Sequence, residues 1–114
     1  MSNTTEHTFL VKVVLLQENE TWIAQGLNYD ITGHGATITA AIENFGKTFI
    51  AQALIDIRHG EKPLGNVPEA PRFYWDRFEE AAWRGLEQKR FEFPDETPPA
   101  FVINGIAADT RIYG

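Results

Sequence analysis

Cysteine is missing from the 114-residue sequence. Its absence removes disulfides, thiolate metal sites and a cysteine nucleophile. Serine is nearly missing: Ser2 is the only one, in a chain terminus where fraying is the rule, so a Ser-His-Asp triad has no well-placed nucleophile. Positive charge is also short, with 10 Lys+Arg against 16 Asp+Glu, a net charge of −6 and a pI near 4.9. Such a surface repels phosphates, which disfavours direct nucleic-acid binding, and it attracts a basic protein partner. No apolar run reaches the length of a membrane span, and Met1 to Thr8 is polar, without the apolar core of a signal peptide. A cytoplasmic protein with no membrane association is therefore expected. The three histidines, His7, His34 and His59, have no metal-ligand spacing between them. No metal, cofactor or catalytic residue is expected, and there is no internal repeat or low-complexity tract.

What is present describes one globular domain over residues 1–114, with 43% hydrophobic and 12% aromatic residues. Phe9 to Leu16 reads as a strand, and its nearly continuous apolar character implies burial on both faces. Gln17 to Thr21 is a polar turn into a second strand, Trp22 to Leu27. Asn28-Tyr29-Asp30 permits a bend, and Ile31 to His34 forms a short third strand. Thr37 then caps a helix from Ile38 to Arg58. Its apolar face is Ile38, Ala41, Ile42, Phe45, Phe49, Ala53 and Ile57, and Gly60 follows as the C′ residue. Such a helix, about 31 Å long, can cover a small sheet. Leu64 and Val67 fit a short edge strand. Pro71 opens an aromatic helix over 71–90, and a Pro-containing tail over 91–114 holds Asn104-Gly105, a hairpin signal. The class is α+β.

Three features are candidate sites. Gly33-His34-Gly35 stands before a helix, where glycine-rich turns hold phosphates. It lacks the Lys-Ser/Thr of a P-loop and the third glycine of a dinucleotide fingerprint. The favoured reading is a tight corner in which glycine supplies a positive φ. The carboxylates do not assemble a two-metal centre: the first strand carries none, and Glu43 and Asp56 are separated by about 20 Å of helix. The aromatic patch Phe73-Tyr74-Trp75, Phe78 and Trp83 packs inward along one stripe, yet three adjacent aromatics point in different directions on a helix. At least one remains for a partner.

The stretch Trp22-Ile23-Ala24-Gln25-Gly26-Leu27, followed by Gly35-Ala36-Thr37-Ile38-Thr39-Ala40-Ala41-Ile42-Glu43-Asn44, resembles the HicB-like antitoxin family. The likeness continues through Gly60, Pro63, Leu64 and Pro68, and covers roughly residues 9–68. It implies a partial ribonuclease-H-like β-β-β-α-β layer, an antiparallel sheet covered by one long helix. This chain adds a C-terminal helix and tail. The resemblance further implies a non-enzymatic protein that binds and neutralises HicA, a small basic toxin that cleaves messenger RNA. Ala40 stands where the family's helix start carries Glu. The segment from Pro71 to Gly114 reads as neither DNA-binding module of the family, so autorepression is not expected.

The expected partner interface is Glu18, Glu20, Trp22, Tyr29 and Asp30. A homodimer or higher homo-oligomer is also expected, through Tyr74, Trp75, Phe101 and Ile103, with the tail Phe101 to Ile106 pairing along a sheet edge. The alternative is a stand-alone, prophage-borne homo-oligomeric accessory protein with no toxin.

Overall fold

A computed structural model of the protein describes the backbone of residues 8–81, 89–91 and 100–113, and the side chains of residues 10–81. The elements are β1 (Thr8–Glu18), β2 (Thr21–Gly26), β3 (Thr32–Gly35), α1 (Ile38–Arg58), α2 (Arg72–Ala81), β4 (Lys89–Phe91) and β5 (Ala100–Tyr113). They form an α+β fold around one sheet with strand order β3-β2-β1-β5-β4. The first three strands are an antiparallel meander, with Val13 opposite Gly26 and Glu18 opposite Thr21 in β1–β2, and Trp22 opposite Gly35 in β2–β3. β5 then lies parallel to β1, and β4 antiparallel to β5. The sheet is mixed, which corrects the expectation of a purely antiparallel layer.

β1 is a central strand, and its composition follows from that. Val11, Val13 and Leu15 are buried with Ala24, Phe45 and Phe49 under α1. Val14 and Leu16 are buried with Leu27, Ala70, Phe78 and Ala81 on the α2 side. Successive strand residues face opposite sides, so two cores form and each needs its own helix. The single covering helix of the expected layer is thus one of two.

α1 begins and ends where its local signals place it. The Thr37 hydroxyl accepts from the Ala40 N–H at 3.0 Å, satisfying one orphan donor of the first turn. Gly60 follows the C-cap His59 with φ +72°. The buried face is shifted from the expected one. Ile38 and Ile57 are exposed, whereas Asp56 is buried. One Asp56 carboxylate oxygen accepts the Leu64 N–H at 2.7 Å, and the other accepts from Gln52 Nε2 at 3.0 Å. A buried carboxylate is tolerated when its lone pairs are satisfied in this way.

That bond decides the segment after α1. Leu64 turns back under the helix with φ +60° and is 2% exposed. Turn bonds run from Gly65 N–H to Lys62 O and from Val67 N–H to Leu64 O. The expected edge strand at Leu64 and Val67 is therefore a turn, because the Asp56 carboxylate captures the Leu64 donor that a ladder would need.

Two further expectations are overturned. Lys89 and Arg90, placed in a helix over 71–90, belong to strand β4. Residues 82–88, including Trp83, lie outside the described residues. Asn104-Gly105 is not a hairpin turn. β5 runs through it, with Val11 opposite Ile103 and Lys12 opposite Gly105. Asn104 is thus the extra residue of a bulge. A strand of fourteen residues paired with β1 on one side and β4 on the other satisfies more backbone groups than a short hairpin does.

Candidate functional site

The Gly33-His34-Gly35 corner is built for contact rather than for a ligand. Neither glycine has a positive φ, so conformational freedom is not the reason for them. α1 crosses β3 so closely that a Cβ on Gly33 would collide with the Phe45 backbone nitrogen and stand 2.6 Å from the Ala41 carbonyl oxygen. A Cβ on Gly35 would stand 2.6 Å from the Ala40 Cβ and the Ala41 nitrogen. The corner is also hydrogen-bonded from within. Asn44 Nδ2 donates to the His34 carbonyl at 2.6 Å, and the first-turn donors Ala40 N–H and Ala41 N–H go to the Thr37 hydroxyl and carbonyl.

The five residues expected at a partner interface do not meet. Glu18, the last residue of β1, and Glu20, in the two-residue turn before β2, are both exposed. Asp30 is exposed beyond the other end of β2. The length of β2 separates the two groups by about 20 Å at strand rise. Asp30 Oδ1 accepts from the buried Gln25 at 2.9 Å, and the Asp30 N–H donates to the Pro68 carbonyl at 2.7 Å. Trp22 and Tyr29 are half-buried against the α1-side core. The Tyr29 ring meets Phe49 edge-on, with centroids 5.6 Å apart. Burial holds the Tyr29 hydroxyl pKa above the usual tyrosine value. These two rings complete a core.

On the opposite face, Tyr74 and Trp75 are half-buried against the second core, while Phe73 is 48% exposed. Phe73 is the most exposed of the three adjacent aromatics. It opens a groove of about 260 Å³ lined by Leu16, Glu18, Ile23, Phe73 and Tyr74. A second hollow, about 420 Å³, lies between Glu69, Ala70, Arg72, Trp75 and Glu79. The Lys12 ammonium is 6.0 Å from the Trp75 ring centroid and 5.9 Å from that of Phe78. Sequence reasoning named no role for Ile23 at this surface, and it chose Tyr74 and Trp75 over the more exposed Phe73. Leu16 and Ile23 are cross-strand partners, a relation that the hairpin reading contained.

Phe101 and Ile103, expected at an oligomer interface, stand on β5 opposite Phe9 and Val11 of β1, and opposite Phe91 and Lys89 of β4. At Phe101 to Ile103 that backbone is paired on both sides, so these residues present no edge to a second copy. Among the described strands, β3 and β4 stand at the ends of the sheet order.

Among the described residues no group of three or more His, Asp or Glu could hold a metal ion, and no helix is long and apolar enough to cross a membrane. No protein-family model, curated protein or solved structure matches this chain.

Proposed function

We propose that this chain is a non-catalytic, HicB-like binding protein of the antitoxin type, acting in the cytoplasm on a small basic toxin ribonuclease. The observation that carries the reading is the β-β-β-α order with a central β1 whose buried residues beneath α1, among those described, are the apolar Val11, Val13 and Leu15. A ribonuclease-H-like nuclease needs metal-binding carboxylates there. The resemblance over residues 9–68 leads to the same layout stripped of its catalytic groups. The charge of −6 and the exposed Glu18 and Glu20 support a cationic partner, because complementary potential speeds and orients encounter.

The test is capture of the tagged chain from its native host, followed by reconstitution. The expected result is a complex of defined stoichiometry with a small basic protein whose RNA cleavage stops when this chain is added. A clean homo-oligomer with nothing bound would discard the antitoxin reading in favour of the stand-alone accessory protein.

A further inference from the structure

We propose that the part of the sheet formed by β5 and β4, on the side shared with α1, is a dimer surface that packs face to face against the same surface of a second copy. Such a dimer is compatible with either functional reading, since an antitoxin and a stand-alone accessory protein can each be dimeric.

Strand register assembles this surface. Directly paired residues of neighbouring strands lie on one face of a sheet, and alternate residues of a strand share a face. Val11 and Val13 of β1 belong to the α1 side. Their partners on β5 are Ile103 and Ile106. Phe9, two residues before Val11, is paired with Phe101. On β4, Phe91 is opposite Phe101 and Lys89 is opposite Ile103. Phe9, Lys89, Phe91, Phe101, Ile103 and Ile106 are thus placed on one face. α1 packs on β3 and β2, at the other end of the strand order from β4. α2 packs on β5 from the opposite side, with the Val14 and Leu16 core. Among the described elements, the α1 side of β5 and β4 falls under neither helix.

Area and charge both favour a second copy as the occupant. Three phenylalanines account for about 450–750 Å² when buried. With two isoleucines the face approaches the roughly 800 Å² per partner of a standard interface. Two copies of charge −6 repel each other, so they meet most readily where carboxylates are absent. None of the six placed residues is acidic. A cationic partner is drawn to carboxylates instead, and these positions offer none. Two sheets stack face to face at about 10 Å with their strands nearly aligned, and a two-fold axis makes one face serve both copies. Phe101 and Ile103 would then join two copies through the face of the sheet rather than through its edge.

Sedimentation equilibrium of the full chain, Phe91→Arg and Ile103→Thr measures the dimer, and amide NMR spectra check that each variant folds. The expected result is a native dimer whose Kd rises about tenfold or more in each variant, the equivalent of losing one good contact. Cysteines, which the native chain lacks, locate the surface separately. Lys89→Cys stands on the proposed face, and Arg90→Cys, opposite Val102, stands on the other. A short bis-maleimide should join two copies of Lys89→Cys and not of Arg90→Cys. Both changes keep every apolar residue of the face, so the cross-link reads the surface even where Phe91→Arg or Ile103→Thr fails to fold. A monomeric native chain would overturn the proposal, and a loss of stability in both apolar variants would then assign the cover to another part of the same chain. A dimer indifferent to both variants, or equal cross-linking at positions 89 and 90, would overturn it as well.

Discussion

Gly33 of β3 lies directly beneath the backbone of Phe45, so that the helix and the sheet edge meet with no room for a methyl group between them. The neighbour is main chain, which cannot rotate out of the way. Close approach of α1, and not a left-handed φ, is what requires glycine at this corner.

Gly33→Ala is therefore expected to destabilise the domain by about 2–3 kcal/mol, at the upper end of overpacking costs. Gly60→Ala meets nothing within 4 Å but retains φ +72°, and should cost about 1 kcal/mol of backbone strain. Urea unfolding of both variants measures the contrast. Equal losses would mean that backbone freedom, and not close approach, selects glycine at position 33.

Asp56→Ala leaves the buried Leu64 N–H without its acceptor, and a loss of about 1–3 kcal/mol is expected. Asp56→Asn keeps an acceptor oxygen and should lose less. If thermal unfolding shows the two variants to be equally stable, the carboxylate does not hold the Lys62–Gly65 turn as described.

Asn44 occupies the His34 carbonyl on the β3 edge. Asn44→Ala should cost about 1 kcal/mol for the lost hydrogen bond and leave an open acceptor on an edge strand, the feature that templates strand pairing. Sedimentation velocity is expected to show concentration-dependent self-association in the variant above that of the native chain. Identical sedimentation at every concentration would show that four residues of β3 are too few to recruit a second strand.

Burial raises the Tyr29 pKa, so the folded state retains the phenol proton at a pH where the unfolded chain has released it. Stability from this group is complete below the unfolded value of about 10 and is lost as pH rises through the folded value. The native chain should lose more stability than Tyr29→Phe on passing upward through that window. Urea midpoints for both proteins on either side of about pH 10 give the comparison. Parallel curves would assign the alkaline loss to lysines instead.

Local signals were readable wherever the physics is local. The Thr37 cap, the 3.6-residue spacing through Phe45 and Phe49, and Gly60 in the left-handed region bound α1 from Ile38 to Arg58, because capping and helical periodicity act within a few residues. The nearly continuous apolar run of β1 announced burial on two faces, and each face has its helix. At the candidate site, the sequence marked Glu18 and Glu20 as acidic and left one aromatic of Phe73-Tyr74-Trp75 for a partner, choosing Tyr74 and Trp75 over the exposed Phe73. It did not bring Glu18 and Phe73 to one groove, since that depends on where α2 lies against β1.

The amino-acid sequence alone determined the α+β class, the position of α1, the two-sided demand of β1 and the acidic character of the surface. Only tertiary structure decided which strand meets that demand, and it chose a parallel β5 drawn from far along the chain. The same long-range pairing turned Asn104-Gly105 from a turn into a bulge. The Asp56–Leu64 bond and the passage of α1 over Gly33 likewise assigned roles that no local pattern carries. Caps and periodicities are satisfied by neighbours in sequence, whereas a strand's partner, a buried carboxylate's donor and a glycine's missing methyl are settled by neighbours in space.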